Sequence, residues 1–253
     1  MLPRYFRKLV RYKVIVEVAR SRMSKPYIAA ILGGSGSVGQ YVLKSLLGDT
    51  NCKSVVLVSR RPLDELKKLD GDRIKVEVCD PLDDVAKKVN LEGVNVAFCT
   101  LGHGSSKKAT RDDLLRVDAT IPGEFAKVCK DAGVTHYCLM TAVGADESAK
   151  WSNITRTAAG GSYYNHVKGV AERLTTEATF PYLLIAQPGI LIGSPHTPTL
   201  LNYFPNTFIP LKYSSAHVSD IASGMVNSTI NAFQNDKKGL FTVTGGIPIK
   251  KGI

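Results

Sequence analysis

An apolar run, Tyr27-Ile28-Ala29-Ala30-Ile31-Leu32, stops at glycines spaced Gly33, Gly36 and Gly39, and the chain continues into Tyr41-Val42-Leu43-Lys44-Ser45-Leu46-Leu47, whose apolar positions recur at helical spacing. The pattern predicts strand, tight turn and helix. Glycine permits positive φ in the turn and close approach of backbone N–H groups to a ligand, and it lets the helix pack tightly on its strand. The free N–H groups and positive dipole end of the helix favour a pyrophosphate, which makes Gly33, Ser35, Gly36, Ser37, Val38 and Gly39 the candidate phosphate cradle. A glycine-rich loop without ligand is the plainer alternative, and the run-on into a helix argues against it.

Further strands and helices alternate behind this turn. Ser54-Val55-Val56-Leu57-Val58-Ser59 reads as a second parallel strand ending in Arg60-Arg61-Pro62, with no acid before Asp64. An NAD site wants a carboxylate there for the ribose hydroxyl, and an NADP site wants cations for the 2′-phosphate. Each charge-assisted hydrogen bond is worth roughly 1.5–3 kcal/mol, so Arg60 and Arg61 point to NADP(H). A third strand, Ile74-Lys75-Val76-Glu77-Val78, leads to Asp80, which is either an acceptor for the adenine amino group or a turn residue before Pro81. The fourth, Val94 to Cys99, opens on Thr100-Leu101-Gly102-His103-Gly104, small enough for the backbone to pass close to a cofactor. Asp112 to Ala132 reads as one helix stopped by Gly133.

A fifth strand, Thr135 to Met140, ends in Thr141-Ala142-Val143-Gly144-Ala145-Asp146, at the edge where doubly wound sheets place ligands. Residues 151–162 read as a flexible insertion. The helix opening at Tyr163 puts Tyr164 and Lys168 on one face at i and i+4. A lysine beside a phenol favours the phenolate, so the expected tyrosine pKa falls below its ordinary value of about 10, suiting it to proton exchange. A sixth strand spans Pro181 to Ala186, a helix runs from Ile221 to Phe233, and Phe241 to Thr244 is a last short strand.

The 253 residues, 44% of them hydrophobic, can bury one sizeable core. The expected fold is α/β, a Rossmann doubly wound parallel sheet spanning residues 28–253, with 190–253 contributing a small C-terminal cap on the substrate side. Five scattered cysteines without a Cys-x-x-Cys pair read as reduced core thiols, and no metal is expected. Of the net charge of +11, +7 falls in residues 1–27, so the body is mildly basic and a nucleic-acid partner is not indicated. That leader sets Arg4, Arg7, Lys8 and Arg11 on one helical face and Phe6, Leu9, Val10 and Val14 on another, of transit-peptide type. A mitochondrial address is expected. A docking helix for a partner or a membrane surface, or a true start at Met23, are the alternatives. No apolar run reaches the roughly 18 residues of a membrane span.

Taken together, Gly33-x-x-Gly36-x-x-Gly39, Arg60-Arg61, Cys99-Thr100-Leu101-Gly102, Val117-Asp118, Gly144-Ala145-Asp146, Tyr164-x-x-x-Lys168-Gly169 with Glu172, and Pro188-Gly189-Ile190-Leu191 resemble the atypical branch of the short-chain dehydrogenase/reductase superfamily. The likeness is to the HIV Tat-interacting-protein oxidoreductase group and its fungal mitochondrial outer-membrane relatives, over residues 27 to about 195. It implies NADP(H) across the glycine turn, with Thr100, Leu101, Gly102, Pro188 and Gly189 along its path. Tyr164 would be the acid, and Lys168 would hold the cofactor ribose.

Three departures stand out. The family's serine pair is Thr141-Ala142, so Thr141 would have to replace the catalytic serine from one residue out of register. The family's arginine before Pro-Gly is Gln187, and residues 147–162 are longer than in the look-alikes. One lost carbonyl hydrogen bond costs roughly 2.7–4 kcal/mol in a transition state. Two functions are therefore expected as rivals: an oxidoreductase passing hydride to or from a small carbonyl or alcohol, and an NADP(H)-binding accessory subunit of a mitochondrial assembly docked through its basic leader.

Overall fold

The computed structural model describes residues 24–67, 70–104, 109–150, 163–195, 197 and 209–252. The basic leader up to Met23 and the insertion 151–162 lie outside the described residues. Seven parallel strands form one sheet: β1 (Tyr27–Leu32), β2 (Cys52–Ser59), β3 (Ile74–Val78), β4 (Val96–Cys99), β5 (His136–Met140), β6 (Tyr182–Gln187) and the late strand β9 (Gly239–Thr244). Their order is β3-β2-β1-β4-β5-β6-β9, so the chain winds outward from β1 in one direction and then, starting at β4, in the other. The reversal between β1 and β4 opens the crevice in which such sheets hold ligands. A separate two-stranded pair joins β7 (Leu191–Ile192) to β8 (Ala216–His217).

Successive strand residues point to opposite faces, and both faces are covered, which is why the strands read as unbroken apolar runs. Ala29, Ile31, Val55, Leu57, Val96, Phe98 and Leu184 meet the helices α1 (Gly39–Gly48) and α7 (Val218–Gln234). Ala30, Leu32, Val56, Val58, Ala97, Cys99, Leu139 and Ile185 meet the short α3 (Val85–Lys88) and α5 (Ile121–Asp131). The remaining helices are α2 (Asp64–Lys67), α4 (Arg111–Leu115), α6 (Tyr163–Glu177) and α8 (Gly246–Lys251). All five cysteines are buried and free; burial pushes the Cys99 thiol up to about 11 and the Cys138 thiol up to about 12.

Two features differ from the sequence expectation. The predicted helix 112–132 is broken: α4 passes through a π-helical turn, Arg116–Thr120, into α5. Pro122 has no N–H to offer a carbonyl one turn back, and the widened turn accommodates that loss. The stretch 190–253 is also more than a cap. Its β9 extends the sheet beside β6 in register from Tyr182↔Gly239 to Gln187↔Thr244, and its α7 covers one face. Lys25 anchors the entry to β1 against the end of α7, its N–H donating to Gln234 Oε1 at 2.6 Å and its ammonium pairing with Asp236.

Candidate active site

The glycine turn forms as its spacing demands. Gly33 takes φ +90°, and a Cβ there would sit 2.7 Å from the Leu101 nitrogen, so β1 and the loop after β4 touch backbone to backbone. A Cβ on Gly39 would lie 2.1 Å from the Gly33 carbonyl oxygen, so only glycine lets α1 start this close to its strand. The Gly36 N–H donates to Gly33 O at 3.0 Å and closes the turn. Thr100 braces it from the side: its hydroxyl donates to the Gly33 carbonyl at 3.2 Å. Ser35 and Gly36 form an exposed tip. Among the described residues no backbone carbonyl accepts from the N–H groups of Ser35, Ser37 or Val38. Unspent donors, an open glycine tip and the positive end of α1 fit a pyrophosphate.

At the end of β2, Arg60 and Arg61 are both exposed. Asp80 is exposed past β3, and its backbone carbonyl accepts from Lys88 Nζ at 2.8 Å. Pro188 extends β6, its carbonyl accepting from Val143 N–H at 2.9 Å, and Gly189 lies against the backbone of Tyr213 and Ser214. Thr100 and Leu101 thus lie against the turn, Gly102 lies toward Asp118 and Lys168, and Pro188 and Gly189 follow β6.

Tyr164 and Lys168 enter from the first turns of α6. Gly169 sets that helix in place: a Cβ there would be 2.0 Å from the Glu147 nitrogen, so α6 rests directly on the turn after β5. Lys168 Nζ lies 5.6 Å from the centroid of the Tyr164 ring. It also lies 2.8 Å from Asp118 Oδ1, with the two side chains 5% and 3% exposed. Burial is the largest influence and disfavours the Lys168 ammonium, but the charge and hydrogen bond of Asp118, together with Tyr164, hold the lysine pKa above its ordinary value. A Cβ on Gly102 would meet Asp118 Oδ1 at 3.1 Å, which brings the loop after β4, the π turn and α6 to one point.

The expected lowering of the Tyr164 pKa is not found. Burial pushes the phenol above its ordinary value, and Lys168, whose charge is shared with Asp118, offsets this only in part. Thr141 is buried, and its hydroxyl donates to Glu172 Oε1 at 2.5 Å. Its proton is therefore directed at the protein. Gln187 Nε2 donates to the same carboxylate at 2.9 Å and 3.1 Å. Asp118 and Glu172 were part of the family likeness without an assigned role. The available signal for Glu172 was spacing, since it follows Lys168 by four residues on the same helix face.

The family model for NAD(P)H-binding matches residues 33–229. Protein HTATIP2 of Rattus norvegicus is 32% identical over 164 residues, which are 64% of this chain and 62% of the rat protein, so the match spans less than two thirds of that relative. Protein FMP52, mitochondrial, of Debaryomyces hansenii is 30% identical over 170 residues, 65% of this chain and 67% of its own. The fungal names bear out the mitochondrial address expected from the leader. Among solved structures, the UDP-Glc/GlcNAc 4-epimerase of Campylobacter jejuni superposes with a TM-score of 0.64 at 13% identity, covering 89% of this chain and 82% of that one. MoeE5 in complex with UDP-glucose and NAD gives 0.59 at 14% identity, covering 85% and 75%. These two share the fold. No helix among the described residues is long and apolar enough to cross a membrane. The chain belongs to the NAD(P)H-binding family, and these relatives are consistent with the resemblance to atypical short-chain dehydrogenase/reductases read from its sequence.

Proposed function

We propose that the protein is a mitochondrial NADP(H)-dependent oxidoreductase that passes a hydride between the nicotinamide and a small carbonyl or alcohol. The observation that carries this reading is the pairing of Tyr164 and Lys168 on one face of α6, with Lys168 fixed by Asp118. When bound, the cofactor supplies or accepts the hydride. Tyr164 gives its phenolic proton to the carbonyl oxygen, and a pKa raised by burial keeps that proton in place at neutral pH. Lys168 has further N–H donors beyond the one facing Asp118 and holds the ribose with them. Exposed Arg60 and Arg61 support NADP(H) over NAD(H).

A second reading keeps the cofactor and gives up most of the turnover: an accessory subunit of a mitochondrial assembly, docked through the leader. Ala142 has no hydroxyl, and that of Thr141 is committed to Glu172, so neither polarises a carbonyl in this arrangement. Steady-state NADPH oxidation with a panel of small aldehydes and ketones separates the two. The oxidoreductase reading expects turnover that Tyr164→Phe abolishes while NADPH binding persists. Absence of turnover, together with stoichiometric co-purification in a large mitochondrial complex, favours the accessory subunit.

A further inference from the structure

Tyr164, Lys168 and Glu172 recur at four-residue spacing on α6 and so line one face. Around the Glu172 carboxyl the partners are Thr141 at the end of β5, Gln187 at the end of β6, and, behind Gln187, Thr244 at the end of β9. All three are uncharged. The Thr244 hydroxyl donates to Gln187 Oε1 at 2.7 Å, which turns Nε2 of that amide toward Glu172. The charged group that acts on the carboxyl is Lys168, one helical turn away and itself paired with Asp118.

We propose that Glu172 is a proton-operated latch on Thr141, whose state sets whether the Thr141 hydroxyl can donate to a substrate oxygen. The proposal rests on the oxidoreductase reading above. A hydroxyl has one proton. Ionised Glu172 can only accept, so across the 2.5 Å contact that proton is held by the carboxylate, at the short end of the range for a charge-assisted bond. Protonated Glu172 becomes the donor across the same contact. Thr141 Oγ1 then accepts, and its own proton is free to turn toward the carboxyl edge of the sheet. Gln187 donates in both states because Thr244 fixes its amide.

Burial holds the Glu172 carboxyl above its ordinary value, while its bonds from Thr141 and Gln187 and the charge of Lys168 pull it down. The released state therefore grows in at a higher pH than at a surface glutamate.

The test uses the full-length protein with carboxyl-labelled glutamate, in wild type, Thr141→Val and Glu172→Gln. Carbon NMR identifies the Glu172 signal by its absence from Glu172→Gln, and amide spectra report that both variants are folded. The latch expects a midpoint above the ordinary glutamate value, moved up by about one pH unit in Thr141→Val, the equivalent of one lost hydrogen bond to a charged group. In parallel, NADPH-dependent reduction of para-nitrobenzaldehyde is expected to speed up several-fold as pH falls through that midpoint in wild type. The rise should be absent from Thr141→Val. A Glu172 midpoint indifferent to Thr141→Val overturns the latch, as does an acid-side rise that persists in that variant. A wild type that reduces none of a panel of small aldehydes and ketones overturns the oxidoreductase reading and with it the latch's effect on a substrate, while a midpoint that still moves in Thr141→Val shows the Thr141–Glu172 bond itself to be as described.

Discussion

Lys168 Nζ and Asp118 Oδ1 sit 2.8 Å apart in a pocket nearly closed to solvent, and Asp118 Oδ2 accepts from the His103 N–H at 2.8 Å. One carboxylate thus ties α6 to the loop after β4. Removing its charge leaves a buried ammonium without compensation, which costs about 3–5 kcal/mol. Asp118→Asn is expected to lower the thermal midpoint by several degrees and to weaken NADPH binding. Calorimetry and a binding titration check both. An unchanged midpoint would mean that the pair is not sealed as described.

Burial dominates at Tyr164, and this gives the two reaction directions different pH dependences. Reduction uses the protonated phenol, which is the stable form below a raised pKa, so its rate should not fall for want of that proton between pH about 6 and 9. Alcohol oxidation needs the phenolate and should rise with pH over the same interval by up to about tenfold per unit. Paired pH profiles on one aldehyde and its alcohol measure this, and a matching neutral optimum for both directions would contradict a raised pKa.

Gly39 is where the fold and the ligand site coincide. A methyl group there would lie 2.1 Å from the Gly33 carbonyl oxygen, so α1 must move off β1. Overpacking of this kind costs about 1–3 kcal/mol, and Gly39→Ala is expected to lose NADPH binding as well as stability. Chemical denaturation and the same titration provide the readouts.

Arg60 and Arg61 are expected to act on one cofactor only. Replacing both with alanine should weaken NADPH binding by about tenfold or more, the loss of at least one charge-assisted bond to phosphate, and leave NADH binding nearly unchanged. Equal losses for the two cofactors would remove the arginines from the specificity site.

The central strands were legible because a parallel sheet covered on both faces leaves continuous apolar runs, and β1 falls where Tyr27 to Leu32 predicted it. Strand β9 was only faintly legible, since Leu240 and Phe241 are exposed at the sheet edge and its place beside β6 is a long-range fact. The π turn at Arg116–Thr120 was missed because Leu114, Leu115, Val117 and Ile121 keep a helical rhythm through it, although Pro122 marked the break. At the site, the spacing of Tyr164 and Lys168 was readable in one helix. The contacts around them were not: Asp118 comes from another helix, and the Thr141–Glu172 bond joins residues 31 apart in the chain.

Titration of the full-length protein with NADPH, followed by calorimetry, tests the central claim that the turn from Gly33 to Gly39 cradles a dinucleotide. Gly36→Val is the companion variant: Gly36 lies at the exposed tip, where a side chain fills the space above the turn and meets the Gly33 carbonyl at 3.2 Å. Saturable binding of one NADPH per wild-type chain, lost in a folded Gly36→Val protein, is the expected result. Wild-type protein that binds no NADPH, or a variant that binds it equally well, would contradict the account.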